Sequence, residues 1–126
     1  HLDLDTEENL VTIHGNSERS VLVGGFGSGL LMTNDGDGFQ SVDVGDVPQI
    51  NGIFVDEERP AIAVGARGFV TRETADGWVK DPEAPETFYD YHAVARDSSG
   101  GVWAVGGNIL LPPLKAGMIM HYNPGN

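Results

Sequence analysis

Short apolar runs alternate with polar clusters along the whole chain. The runs 20–24, 61–65 and 102–106 read SVLVG, AIAVG and VWAVG. They and their neighbours are rich in Val, Ile, Phe and Trp. Turn-forming clusters bound them: Asn16-Ser17-Glu18-Arg19, Glu57-Glu58-Arg59-Pro60 and Ser98-Ser99-Gly100-Gly101. Runs of this length are strand-sized. No stretch of ten residues carries a convincing 3.6-residue apolar period. The pattern therefore predicts β-strands and almost no helix.

The pattern also repeats. Val23-Gly24-Gly25, Val64-Gly65-Ala66 and Val105-Gly106-Gly107 recur at a spacing of 41 residues. The preceding segments 13–24, 54–65 and 95–106 align without a gap. Gly29-Leu30-Leu31-Met32 matches Gly68-Phe69-Val70-Thr71 and Gly117-Met118-Ile119-Met120, and Asp37-Gly38-Phe39 matches Asp76-Gly77-Trp78. Length differences fall after Val-Gly, as expected of loops. Each unit resolves into four segments. Segment a is 10–14, 51–56 and 92–97. Segment b is 20–24, 61–65 and 102–106. Segment c is 30–33, 69–72 and 118–122, and segment d is 39–44 and 78–81. Four antiparallel strands in about 41 residues, repeated, is the arithmetic of a β-propeller blade.

The expected fold class is thus all-β, with three four-stranded blades at about 9–44, 50–81 and 91–122 in a single unit 1–126. Small residues such as Gly52, Ala61, Ala63, Ala93, Ala95 and Ala104 suit crowded inner strands, and Phe39 and Trp78 suit the wedge between blades. The third unit stops after segment c, and Leu2-Asp3-Leu4 resembles Val42-Asp43-Val44 of segment d. The order reads d-abcd-abcd-abc. Residues 1–5 would then supply an outer strand to a third blade. Three blades do not close, because rings normally take four to eight. Two outcomes are open: two chains pair into a six-bladed ring, or the chain is a piece of a longer propeller.

Composition narrows the partners. The chain has 126 residues, 19 acidic and 7 basic side chains, a net charge of −12 and no cysteine. Without cysteine there is no disulfide, thiolate metal site or cysteine nucleophile. A charge of −12 argues against nucleic acid and against an anionic membrane surface, both of which need a basic patch. No apolar run approaches the roughly 20 residues of a membrane span. The acidic start His1-Leu2-Asp3-Leu4-Asp5 is not a signal peptide, so the expectation is a soluble protein of undetermined location. An ordinary acidic protein and one adapted to high salt both fit this charge.

Two segments carry a family resemblance: 61–78, AIAVGARGFVTRETADGW, and 21–39, VLVGGFGSGLLMTNDGDGF. They resemble the Asp-box (BNR) type of propeller, and most of all the photosystem II stability/assembly factor-like group. In that family Ser/Thr-x-Asp-x-Gly-x-Thr-Trp makes the hairpin between strands c and d. Here 33–39 keeps a Thr, an Asp and the aromatic but is one residue short, 72–78 keeps Asp-Gly-Trp, and the third unit lacks the box. The resemblance implies a structural role for the box, with its Asp accepting turn amides and its aromatic in the core. The assembly-factor group implies protein binding across one face through arginines, whereas only Arg67 lies on that face here. Sialidases share the box and use an arginine triad. Arg19 and Arg59 sit in the a–b turns, on the opposite face from Arg67, which speaks against such a triad.

The candidate ligand-binding residues cluster on the loop face near the expected channel: Phe26, Asn51, Arg67, Tyr89, Tyr91 and His92. The long segments 80–91 and 106–117 should emerge there, the second with the apolar run Ile109-Leu110-Leu111-Pro112-Pro113-Leu114. Asp35 and Asp37 fit positions one and three of a calcium loop, but Phe39 and Ser41 do not continue the pattern. A tight Asp/Gly turn explains them without metal. The four histidines lack metal spacing, so no cofactor or metal is expected. No nucleophile elbow, HExxH, P-loop or Rossmann pattern is present. The expected function is a non-catalytic binding or scaffold module for a protein or glycan. The alternative is an Asp-box type glycoside-processing hydrolase or lyase.

Overall fold

The structure, a computed structural model, describes residues 2–108, 112 and 115–125. Its regular elements are strands and one short 3₁₀ turn at Ala66–Gly68. The first sheet holds β1 (Leu10–Gly15), β2 (Ser20–Gly24), β3 (Leu30–Asn34) and β4 (Gln40–Ser41). The second holds β5 (Ile50–Phe54), β6 (Ile62–Gly65), β7 (Val70–Thr74) and β8 (Gly77–Lys80). The third holds β9 (Asp90–Arg96), β10 (Val102–Gly107) and β11 (Met118–Tyr122). Every neighbouring pair is antiparallel, and each sheet follows chain order. The protein is all-β, as its apolar pattern predicts.

Segments a, b and c form strands in all three units. Segment d is shorter than expected in the first sheet, where β4 covers Gln40–Ser41 only, although the Val42 amide still donates to Leu31 O at 2.9 Å. Residues 2–5 form no strand within the chain, so β11 is an edge of a three-stranded sheet.

The register corrects the gapless alignment by one residue. Val21, Ile62 and Trp103 occupy the same place on the second strands, and opposite them stand His14, Phe54 and Ala95. His14, not Ile13, is therefore the counterpart of Phe54. The a–b turn of the first unit is one residue shorter, a difference that leaves no trace in the Val-Gly spacing. Each turn is organised by one side chain. Asn16 Oδ1 accepts the amides of Glu18 and Arg19, Asp56 Oδ1 those of Glu58 and Arg59, and Asp97 Oδ1 those of Ser99 and Gly101.

The Val-Gly signature has a steric cause. Each first strand carries a bulge opposite it, with Val11, Asn51 and His92 as the extra residues. The bulge pushes a carbonyl onto the glycine. A Cβ at Gly24, Gly65 or Gly106 would lie 2.0, 2.0 or 1.8 Å from the carbonyl oxygen of Asn9, Gln49 or Asp90.

Two apolar clusters lie between the sheets. Val21, Val23 and Leu31 of the first sheet meet Ile53, Val55, Ala61 and Ala63 of the second. Ile62, Val64 and Val70 of the second meet Tyr91, Val102, Ala104, Met120 and Tyr122 of the third. The 61–64 segment thus sends small residues one way and branched ones the other, and the second sheet is buried on both faces. Each fully buried aliphatic side chain contributes roughly 1.5–3 kcal/mol. The third sheet has only one such face covered. Trp103, Val105 and Ile119 hold the places that Val21, Val23, Leu31 and Ile62, Val64, Val70 hold in the other sheets. The first six are at most 1 % exposed, whereas Trp103, Val105 and Ile119 are 41, 45 and 68 % exposed.

Candidate functional site

Antiparallel connection sorts the loops onto two ends. The b–c and d–a loops meet at one end: Gly29 N donates to Val47 O at 2.8 Å, and Arg67 N donates to Asp90 Oδ1 at 2.8 Å. Arg67 has φ 55°, in the left-handed region that non-glycine residues rarely adopt. The Asp90 carboxylate holds the turn there, with the side chain of Arg67 exposed.

The six candidate residues do not converge on one pocket. Tyr91 is fully buried in the cluster between the second and third sheets, and burial pushes its hydroxyl pKa up. Asn51 is also buried. Its Nδ2 donates to Tyr91 O at 2.9 Å and its Oδ1 accepts from Gln49 Nε2 at 2.8 Å, so it ties the second sheet to the third. His92 is exposed on its bulge, and Phe26 and Tyr89 are exposed on separate loops. Phe88, which the sequence reading passed over, is 96 % exposed beside Tyr89. This end therefore offers scattered aromatic side chains over a buried amide tether. Of the apolar run 109–114, only Pro112 lies within the described residues, and it is exposed.

Asp35 and Asp37 are exposed in the β3–β4 hairpin. Asn34 organises that hairpin, its Oδ1 accepting the amides of Gly36 and Gly38 at 2.9 and 3.1 Å. In the β7–β8 hairpin the acceptor is Thr74 Oγ1, which takes the Asp76 amide at 3.3 Å. The turn acceptor expected of the box aspartate is thus an asparagine and a threonine here. Trp78 packs on the core between the first two sheets, as expected. Among the described residues no three His, Asp or Glu are grouped to hold a metal ion.

The other end, built from the a–b and c–d turns, carries the charged chemistry. Between the first and second sheets, Arg19 forms a double hydrogen bond with Glu73. Nη1 donates to Oε2 at 2.6 Å and Nη2 to Oε1, which raises the arginine pKa. Between the second and third sheets, Arg59, Arg72 and Arg96 line a cavity of about 300 Å³ with Ser99, Gly100 and residues 123–125. Spacing alone does not bring these three arginines together; they sit on a turn and on two different strands.

On the same end, Asp97 is a heavily bonded carboxylate. It accepts from Ser99 Oγ at 2.6 Å, Trp103 Nε1 at 2.9 Å, and the Gly101 and Ser99 amides at 3.0 and 2.9 Å. The Ser99 and Trp103 hydrogen bonds lead in holding its pKa well below the usual carboxylate range. A depressed folded-state pKa adds stability above the ordinary value of about 3.9, and that gain is lost as pH falls through the folded value. Asp97→Asn is expected to melt lower than wild type at pH 7, with the gap closing below about pH 4. Melting temperature from pH 7 to pH 2 reads this, and a gap that stays constant would refute it.

No protein-family model, curated protein or solved structure matches the chain.

Proposed function

We propose that the chain is three blades of an Asp-box-like β-propeller, a non-catalytic binding and scaffold module that completes a six-bladed ring with a second copy. The observation that carries this reading is the uncovered face of the third sheet. Two successive sheets bury the same three repeat positions against the next sheet, and the third sheet leaves its own three exposed. An apolar surface of this kind, with an unpaired β11 edge beside it, is what a further sheet covers elsewhere in the chain. The occupant this reading assigns is the outer face of the first sheet of another copy. There Ile13 is exposed at the place of Ile53 and Val94, which face the preceding sheet in their own units. Leu22 and Met32 on that face are already buried, so it is narrower than the surface it would meet. Residues 2–4 of the second copy would then add the missing strand to β11.

In such a ring the loop end of both copies forms one rim, carrying Phe26, Arg67, Phe88, Tyr89 and His92. Exposed aromatics and a cation at one end suit a protein or glycan partner, since aromatic faces and arginine dominate binding energy at such surfaces. The test is solution mass by light scattering. Wild type is expected at twice the 13.4 kDa of one chain, and Ile119→Asp at the single-chain mass with unchanged circular dichroism. A wild-type monomer at micromolar concentration would overturn the ring.

A further inference from the structure

The two spaces between sheets are repeats of one another, and their charged ends differ. In the first, Arg19 meets the Glu73 carboxylate face to face. In the second, the place of Arg19 is taken by Arg59, since both follow their turn-organising residue by three and bond its Oδ1. The place of Glu73, three residues along the third strand from Val70, is taken by Tyr122, three residues along from Ile119. That hydroxyl turns away and donates to Asp81 Oδ2 at 2.6 Å. Arg59 therefore has no counterpart of Glu73; it makes a long ion pair with Asp56 on its own turn and donates to Ser98 O at 3.2 Å. Two further cations are added: Arg72 stands where the first sheet has Thr33, and Arg96 where the second has Val55.

We propose that the cavity between Arg59, Arg72 and Arg96 is a binding site for a small carboxylate, which fills the position that the Glu73 side chain fills in the neighbouring repeat. The cavity of about 300 Å³ has room for a ligand of several heavy atoms. The nearby acids offset its charge only in part. Asp56 reaches Arg59 only at 3.6 Å and spends Oδ1 on two amides. Glu83 reaches Arg72 only at 3.8 Å and accepts the Gly125 amide through the same Oε2. Asp81 is engaged by Tyr122 and the Glu83 amide. Arg96 donates to two carbonyls, Gly100 O at 2.8 Å and Pro60 O at 3.0 Å, and makes no ion pair within 4 Å among the described residues. Its Nε and that of Arg72 are buried without a hydrogen-bond partner. A planar guanidinium with no anion within 4 Å, as Arg96 has among the described residues, is suited to a carboxylate, whose two oxygens match it two for two. In a chain with 19 acidic side chains, an unpaired Arg96 beside two long ion pairs, all at one cavity, calls for an anion from outside.

The site lies within one chain and on the end away from the proposed rim, so it stands or falls apart from the ring. The test is an NMR titration of 15N-labelled protein at fixed ionic strength, with acetate as the probe and acetamide and phosphate as controls. Acetate is expected to shift the Ser99 and Gly100 amide signals saturably, with no response to acetamide. Arg96→Gln should weaken acetate binding about tenfold or more, while Arg67→Gln on the opposite end should leave it unchanged. Amide dispersion reports whether each variant is folded. If Arg96→Gln is not, Arg59→Gln takes its place and the wild-type comparison of acetate with acetamide still decides. A flat or non-saturable response to acetate, an equal response to acetamide, or tighter binding of phosphate would each overturn the carboxylate assignment.

Discussion

Gly65→Ala is expected to leave little or no folded protein. The new Cβ would lie 2.0 Å from Gln49 O and 3.0 Å from Ile50 Cα. Both atoms belong to backbone, so no rotamer change relieves the clash. The Gln49 carbonyl is fixed in place by the Ala66 amide at 2.9 Å, and Ile50 is fully buried. Moving β5 away would break that hydrogen bond and pull Ile50 and Asn51 out of the two faces they join. Displacing a packed central strand belongs with the largest point-mutation effects, above about 4 kcal/mol, against a total stability of roughly 5–15 kcal/mol for a domain. Soluble yield and the thermal melt measure it. Gly117→Ala is the control, because nothing lies within 4 Å of a Cβ there. A Gly65→Ala protein that melts within a few degrees of wild type would show that the bulge yields easily. The same reasoning extends to Gly24 and Gly106, so the Val-Gly spacing is a record of three identical close approaches.

That spacing is why so much of the fold is legible in the sequence. A glycine forced by backbone contact recurs at each repeat, and the strands on either side follow from it. What it does not record is the a–b turn, where the first unit is one residue shorter. Ile13 and Phe54 look alike as apolar residues, yet His14 is the residue that stacks on Phe54, with ring centroids 4.7 Å apart, and accepts the Val55 amide at 2.8 Å. Chemical similarity misleads there because a one-residue shift in a strand reverses its faces. The candidate site was less legible for a related reason. Asn51 and Tyr91 are polar or aromatic residues at a strand start, which suits a channel lining, but Tyr91 packs in the cluster between the second and third sheets and Asn51 is held against it by its bond to Tyr91 O. Arg59, Arg72 and Arg96 are 13 and 24 residues apart, and only the paired comparison of two inter-sheet spaces shows that Tyr122 stands where the first space has Glu73.

Tyr122→Phe is the second large effect, and it separates a lost hydrogen bond from a lost side chain. The phenyl ring stays in the cluster between the second and third sheets, and only the hydroxyl goes. That hydroxyl donates to Asp81 Oδ2 at 2.6 Å, and Asp81 is 2 % exposed. Its other oxygen takes the Glu83 amide at 3.0 Å, so the variant leaves one buried carboxylate oxygen with no donor. A buried polar group stranded in this way costs about 1–3 kcal/mol, more when it is charged. At roughly 4 °C per kcal/mol for a domain of this size, a melting temperature about 10 °C lower is expected at pH 7. In an Asp81→Asn background the same change should cost less, because the stranded group is then neutral. The pH dependence adds a second check. Burial, and after it the Asp81 hydrogen bond, push the Tyr122 pKa well above its ordinary value of about 10. A raised folded-state pKa means that this stability is present below about pH 10 and is lost as pH rises beyond it. Tyr91 behaves in the same direction in both proteins and cancels in the comparison. The gap between wild type and Tyr122→Phe should therefore narrow above about pH 10. A variant that melts with wild type at pH 7, or a gap that widens in alkali, would show that the Tyr122–Asp81 bond does not hold the second and third sheets together.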